Sequence, residues 1–276
     1  MTMDAQAYLF VPGNRQERIG KALAAGADAV IVDLEDAVAP ADKPAALAGL
    51  RAAWERHASL AREREVALLL RINASDTPWH DTEVAACREL GIRRIVVPKA
   101  GDPAALARIV AAVPDALLYP LIESAEGIAR LREVSCAPGV TRLLFGSIDL
   151  MLDLGIGDAG RPLDAFRTSL VLASRLAGLP PPVDGVCVDL EDTAALAAEV
   201  RRARDFGFGA KLLIHPKQVE PVRRGFAPTA EETGWAQRVV AAAAAADGAA
   251  VAVDGKMVDR PVLLRAERIL GRSRPG

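Results

Sequence analysis

Eight short apolar runs alternate along this 276-residue chain with longer stretches rich in alanine, leucine, arginine and glutamate, and that alternation constrains the fold more than any other feature. The runs are Tyr8 to Val11, Ala29 to Leu34, Ala67 to Ile72, Arg94 to Pro98, Leu117 to Ile122, Arg142 to Phe145, Val183 to Val188 and Lys211 to Ile214. Nearly continuous apolar runs of this length are strands buried on both faces, and helices between them make parallel βα units. Eight such units close into a (β/α)8 barrel, the TIM-barrel architecture, in preference to an open sheet. The expected division is a barrel catalytic domain over residues 1–228 and a C-terminal helical extension over 229–276.

Local signals give the punctuation. Asn14 is expected to cap a helix reaching Ala25, with Gly26 ending it, and Asp102 with Pro103 opens another by N-cap and first-turn proline. In the extension a helix from about Ala230 takes in the tract Ala241 to Ala246, because alanine is the strongest helix former. Val251 to Met257 reads as extended chain turning at Asp254 and Gly255, with a helix from Pro261. The tail from Gly248 to Leu270 is not needed by the barrel and is expected to act as a lid on its own barrel or a neighbour's.

Charge excludes some partners. Thirty-four basic residues against 36 acidic ones leave a net charge of -2, so no global field draws the chain onto nucleic acid or an anionic membrane. No apolar run approaches the roughly 20 residues of a bilayer span, and Met1 to Gln6 lacks a basic flank before an apolar stretch, so a cytoplasmic protein with a small-molecule substrate is expected. Cys87, Cys136 and Cys187 are widely separated and read as reduced thiols.

A barrel strand has little use for charge, so charge at its C-terminal end is a candidate for chemistry. Asp33, Glu35 and Asp36 follow the second run, Arg71 and Asn73 the third, Lys99 the fourth, Glu123 the fifth and Asp149 the sixth. Each alone reads equally as a cap or salt bridge; together they crowd carboxylates around one axis, which is costly to desolvate without a compensating cation. Glu123 and Asp149 offer the hard oxygen ligands from neighbouring strands that suit Mg²⁺, with Mn²⁺ as a substitute. Arg71 can grip a substrate carboxylate or close an ion pair with Asp33 or Glu35. Lys99 is read as balancing charge in preference to forming a Schiff base. His57 and His80 are expected at the surface, and His215 as a satisfied structural imidazole. Gly13, Asn14 and Arg15 offer backbone donors and a cation for a phosphate. Gly155, Gly157 and Gly160 lack the dinucleotide spacing and read as a loop over the mouth.

The motifs LFVPGNRQER from Leu9, DLEDAV from Asp33, LRIN from Leu70, VPKA from Val97, LIES from Leu121, FGSIDL from Phe145, IHPKQ from Ile214 and DGKMVDRP from Asp254 span nearly the whole chain. With them the chain resembles the citrate lyase β-subunit-like family of CoA-ester lyases within the HpcH/HpaI aldolase superfamily. The resemblance implies Mg²⁺ on Glu123 and Asp149, and a 2-oxo acid held by that metal and Arg71, with Gly146 and Ser147 beside it. It also implies a CoA thioester, for which Arg15 and Lys21 are the candidate contacts, and a homotrimer or hexamer. Asp259 matches an aspartate that in related malyl-CoA lyases reaches a neighbouring subunit's site as acid or base. Ser147 and Ile148 stand where many relatives carry alanine and glutamate.

The expected activity is Mg²⁺-dependent carbon–carbon cleavage of malyl-, citramalyl- or citryl-CoA into acetyl-CoA and a 2-oxo acid. Three rivals remain open: a malyl-CoA thioesterase or malate synthase-like enzyme, a partner-dependent or non-catalytic citrate lyase-like subunit, and an aldolase acting on free acids.

Overall fold

The computed structural model describes residues 5–245 and 251–272. Met1 to Asp4, Ala246 and Gly248, which figure in the expectations above, lie outside the described residues. Two compact units divide the chain, Met1–Arg223 and Arg224–Gly276.

The first unit is a closed barrel of eight parallel strands in sequence order. They are β1 (Ala7–Pro12), β2 (Ala29–Asp33), β3 (Ala67–Arg71), β4 (Arg94–Val97), β5 (Leu117–Ile122), β6 (Leu144–Phe145), β7 (Val183–Asp184) and β8 (Ala210–Leu213), and β1 pairs with β8 to close the ring. The helices in this unit are α1 (Gln16–Leu23), α2 (Lys43–Glu63), α3 (His80–Glu89), α4 (Pro103–Ala112), α5 (Ala125–Ala129), α6 (Leu131–Ser135), α7 (Ser147–Leu154), α8 (Asp164–Leu176) and α9 (Thr193–Phe206). Then α10 (Val219–Phe226) spans the division between the units. All eight runs become strands, but β6 and β7 are shorter than the sequence suggests. Arg142 precedes β6 because its guanidinium is taken up by Pro181 O, Ala5 O and the Tyr8 hydroxyl.

Strand alternation decides what reaches the mouth. Tyr8, Ile31, Leu69, Tyr119, Leu121, Leu144 and Leu212 share the barrel's interior cluster. Two residues further along the same faces stand Phe10, Asp33, Arg71, Glu123, Gly146 and Ile214, at the C-terminal ends of the strands. The intervening residues face the helices, and two of them are charged. Lys211 on β8 and Asp184 on β7 pair at 3.0 Å, with Glu199 of α9 at 2.9 Å from Lys211 and Arg167 of α8 at 3.3 Å from Asp184.

Caps follow expectation at α4, where Asp102 accepts from Ala104 N and Ala105 N. They depart from it at α1: the N-cap is Arg15, with no side-chain cap bond, and Asn14 does not cap. Arg15 N donates instead to Pro12 O at 3.1 Å, so a backbone turn closes the entry. Gly26, at φ +81°, makes the left-handed turn after α1 that a side chain would strain. His57 and His80, expected at the surface, are buried. His57 hydrogen-bonds the Gln16 side chain and His80, at the start of α3, bonds Asn73 O, each at 2.9 Å. His215 caps the turn at Pro216–Gln218 by accepting from Lys217 N, the structural role expected of it.

The second unit holds α11 (Ala230–Ala245), the antiparallel strands β9 (Val251–Val253) and β10 (Lys256–Val258), and α12 (Arg260–Arg272). Ala236, Val239, Val258 and Ala266 form its core. No helix among the described residues is long and apolar enough to cross a membrane. The three cysteines are free thiols.

Lys211 is 1% exposed and sits between two carboxylates. Removing one member of a buried network leaves the other charges uncompensated. Lys211→Met is therefore expected to destabilise the barrel by about 3–5 kcal/mol, read from the urea unfolding midpoint; a change below about 1 kcal/mol would show these charges to be as weakly coupled as a surface pair.

Candidate active site

At the strands' C-terminal ends the barrel opens into a cavity of about 430 Å³. Asp33, Asp36, Arg71, Glu123 and Asp149 line it, so four carboxylates face one guanidinium. Gly146 and Ser147 line it as well. Arg15, Lys21 and Lys99 do not. Arg15 stands at the start of α1, 3.8 Å from Glu17, and Lys21 is exposed in that helix's last turn.

Arg71 organises the charges. Its Nε donates to Asp33 Oδ1 at 2.7 Å and its Nη2 to Asp33 Oδ2 at 2.6 Å, a bidentate pair. Nη1 lies 2.9 Å from Glu35 Oε2 and 3.2 Å from Asp36 Oδ2. Burial pulls the guanidinium's pKa down, but Asp33, Glu35 and Asp36 outweigh it and leave it above the usual arginine value. The ion-pair reading of Arg71 is thus met. Asp36, largely exposed, is the partner that a substrate carboxylate can replace most cheaply.

Three of the carboxyls, Glu35, Glu123 and Asp149, are held above the usual carboxylate range. Burial, then the Glu35 carboxylate, pushes Glu123 up to about 8, against the opposing hydrogen bond from Lys99 N at 2.7 Å. Burial also lifts Glu35 to about 7 and raises Asp149, for which Asp36 is the next cause. Glu35 Oε2 is buried without a hydrogen bond, its contact with Arg71 being electrostatic in geometry. An all-oxygen set with excess negative charge fits a divalent hard cation. Among the described residues no group of three histidine, cysteine, aspartate or glutamate side chains gathers to hold a metal. The fit is therefore to two carboxylates with water and substrate completing the shell, as Mg²⁺ is usually held.

Glycine at 146 is a steric requirement. A β-carbon there would collide with Glu123 Cβ and Oε2. Its amide is already used, donating to Ile122 O at 3.0 Å. Ser147 begins α7, which has no side-chain cap, so first-turn amides remain as donors beside the cavity. Of the backbone donors expected to serve a phosphate after β1, Gly13 N is taken by Asp33 O at 2.7 Å and Arg15 N by Pro12 O at 3.1 Å.

Two supporting residues gave no sequence signal beyond their type. Lys43, buried at the start of α2, donates to Leu34 O and Glu35 O, each at 2.8 Å. Glu83 of α3 accepts from Asn73 N at 2.6 Å and Asn73 Nδ2 at 2.7 Å, while Asn73 Nδ2 also reaches Leu34 O. Burial raises Glu83 to about 7. Together they pin the loop that carries Glu35 and Asp36. Asp259 lies in the second unit, exposed, where it caps α12 by accepting from Val262 N at 3.2 Å.

The profile of the HpcH/HpaI aldolase/citrate lyase family matches residues 6–216. A citrate lyase subunit beta-like protein of Mycobacterium tuberculosis is 36% identical over 96% of this chain and 94% of its own. A (3S)-malyl-CoA thioesterase of Cereibacter sphaeroides is 35% identical, over 97% of this chain and 94% of its own. Among solved structures, M. tuberculosis CitE in complex with magnesium, acetoacetate and coenzyme A superposes with a TM-score of 0.86 at 34% identity, covering 98% of this chain and 99% of that one.

Two outcomes follow from the site's geometry and charge. Gly146→Ala must displace Glu123, so Mg²⁺ affinity measured by calorimetry is expected to fall by at least about tenfold; unchanged affinity would remove Glu123 from the ligand set. Between their ordinary 4.5 and their folded values of about 7 and 8, Glu35 and Glu123 keep protons that the unfolded chain releases. The folded state then binds more protons, so the metal-free protein loses stability as pH rises through that window. The melting temperature is expected to fall over this range, and Mg²⁺, which needs the ionised carboxylates, to raise it more at the alkaline end. An equal Mg²⁺ effect at both ends would contradict the assignment.

Proposed function

We propose, from the premise that this chain belongs to the HpcH/HpaI aldolase/citrate lyase family, that it is a Mg²⁺-dependent lyase. It cleaves a 3-hydroxyacyl-CoA of the malyl, citramalyl or citryl type into acetyl-CoA and a 2-oxo acid. The supporting observation is the pairing of Arg71 with a surplus of buried carboxylates in one cavity. Relatives in both the citrate lyase-like and malyl-CoA thioesterase groups agree with a CoA ester as substrate.

Glu123 and Asp149 are the residues that hold the metal, which when bound supplies positive charge for an oxyanion. Arg71 takes the substrate's carboxylate, releasing Asp36 and keeping Asp33. Amides of the first turn of α7, starting at Ser147, face the same anionic end. Asp259, supplied by a neighbouring subunit of a trimer or hexamer, is the base that removes the hydroxyl proton. As that oxygen becomes the carbonyl of the 2-oxo acid, the carbon–carbon bond breaks and its electron pair passes to the thioester enolate. Protonation at carbon gives acetyl-CoA. Arg15 and Lys21 are the proposed contacts for the CoA portion.

Malyl-, citramalyl- and citryl-CoA, incubated with and without Mg²⁺ and analysed by mass spectrometry, test this reading. Metal-dependent release of a 2-oxo acid with acetyl-CoA is expected, abolished in Asp149→Ala and reduced at least about 100-fold in kcat by Asp259→Asn, as loss of a general base does. Free CoA with an intact hydroxy acid would establish the thioesterase instead. No turnover would favour a partner-dependent subunit, and turnover of free hydroxy-oxo acids insensitive to Asp259 would favour an aldolase.

A further inference from the structure

The cavity is lined by two unlike sets of side chains. One is Asp33, Asp36, Arg71, Glu123 and Asp149; the other is aliphatic and aromatic, with the Phe10 ring centroid lying 4.8 Å from the Arg71 guanidinium. Phe10 and Leu212 lie on the inward faces of β1 and β8, and Ile148, Val188 and Ile214 stand nearer the solvent, 42%, 64% and 42% exposed. Ile214 continues the inward face of Leu212 by strand alternation, whereas Ile148 immediately precedes Asp149 in the first turn of α7. Three large aliphatic side chains left partly bare beside a charged site offer apolar surface for a bound ligand to cover.

We infer that Ile148, with Val188 and Ile214, determines which group the substrate carries on its carbinol carbon: hydrogen or a short alkyl group is accepted, and a second carboxylate is rejected. The inference rests on the lyase reading and narrows its substrate class. Arg71 is the one cation among the described residues lining the cavity, and it already serves Asp33, Glu35 and Asp36. A first substrate carboxylate can displace Asp36. Mg²⁺ on Glu123 and Asp149 would serve that first carboxylate together with Arg71, so a second finds no further cation among the described lining residues and must lie against the aliphatic wall or among the other carboxylates. An unpaired buried charge costs enough to lower affinity by roughly 100-fold, whereas each methylene covered by the wall raises it about fourfold.

The test uses the full chain with saturating Mg²⁺. Calorimetry gives the affinities of glyoxylate, pyruvate, 2-oxobutanoate and oxaloacetate, and kcat/KM is measured for malyl-, citramalyl- and citryl-CoA. Pyruvate and 2-oxobutanoate are expected to bind severalfold more tightly than glyoxylate, and oxaloacetate about 100-fold more weakly than pyruvate. Ile148→Lys supplies a cation and is expected to narrow the pyruvate-to-oxaloacetate ratio by about tenfold; Val188→Lys, farther from Asp149 in sequence, is expected to shift it the same way. Oxaloacetate binding within about threefold of pyruvate, or a ratio unmoved by both lysines, would overturn the inference. Citryl-CoA cleaved as well as citramalyl-CoA would overturn it while the lyase reading stands. The expected order of oxo-acid affinities with no ester cleaved would overturn the lyase reading and keep the selectivity. Binding of none of the four acids would overturn the inference outright.

Discussion

A guanidinium buried at the mouth of a barrel must be surrounded by negative charge, and the rest of this site is arranged around that need. Arg71 cannot shed its proton, so its burial is tolerable only because Asp33 accepts from both Nε and Nη2 along one edge and Glu35 and Asp36 lie at its remaining nitrogen. Asp33 does more than pair. Its oxygens also accept from Glu35 N and Ala37 N, folding the segment after β2 back over the arginine. Lys43 and Asn73 then hold the carbonyls of that segment from below. The carboxylates exceed what one arginine neutralises, and burial first, with neighbouring carboxylates adding to it, raises Glu35 and Glu123. Under the proposed function, that excess is what one more cation would offset.

The same strands carry a second set of buried charges that is not a site. Lys211 and Asp184 face outward from β7 and β8 toward α8 and α9, and every charge there has a partner across a short distance. The difference between chemistry and architecture thus comes from strand alternation. An even step from the interior cluster leads into the mouth, as with Leu69 to Arg71 and Leu121 to Glu123, and an odd step leads to the helix layer.

That periodicity is why so much was legible in the sequence. A charged residue at the end of an apolar run, in step with its interior residues, announced Asp33, Arg71 and Glu123. The loop glycine at 146 gave no comparable signal, because its reason is the Glu123 side chain of the adjacent strand end. His57 and His80 were misjudged because position in a helix or loop says nothing about which side packs inward. Asn14 failed as a cap because backbone bonds of Gly13 and Arg15 had already closed the turn. Lys43 and Glu83 were invisible for a related reason: charged residues in helical stretches are usually solvated, and only tertiary packing brought these two under the acidic loop.

The crowding of acids at the mouth also bears on where a base can come from. A sixth carboxylate on the barrel would face the same burial and the same neighbours that hold Glu123 protonated up to about 8. Near neutrality it would be largely protonated, and only its ionised fraction could accept a proton. A carboxylate approaching from outside the barrel meets those costs only when the metal has already brought positive charge to the mouth. Asp259, exposed at the head of α12 in a separate compact unit, has the required chemistry and starts in solvent. Under the proposed mechanism, the acidity of the mouth that selects a divalent cation is also the reason the base belongs to the extension and not to the barrel.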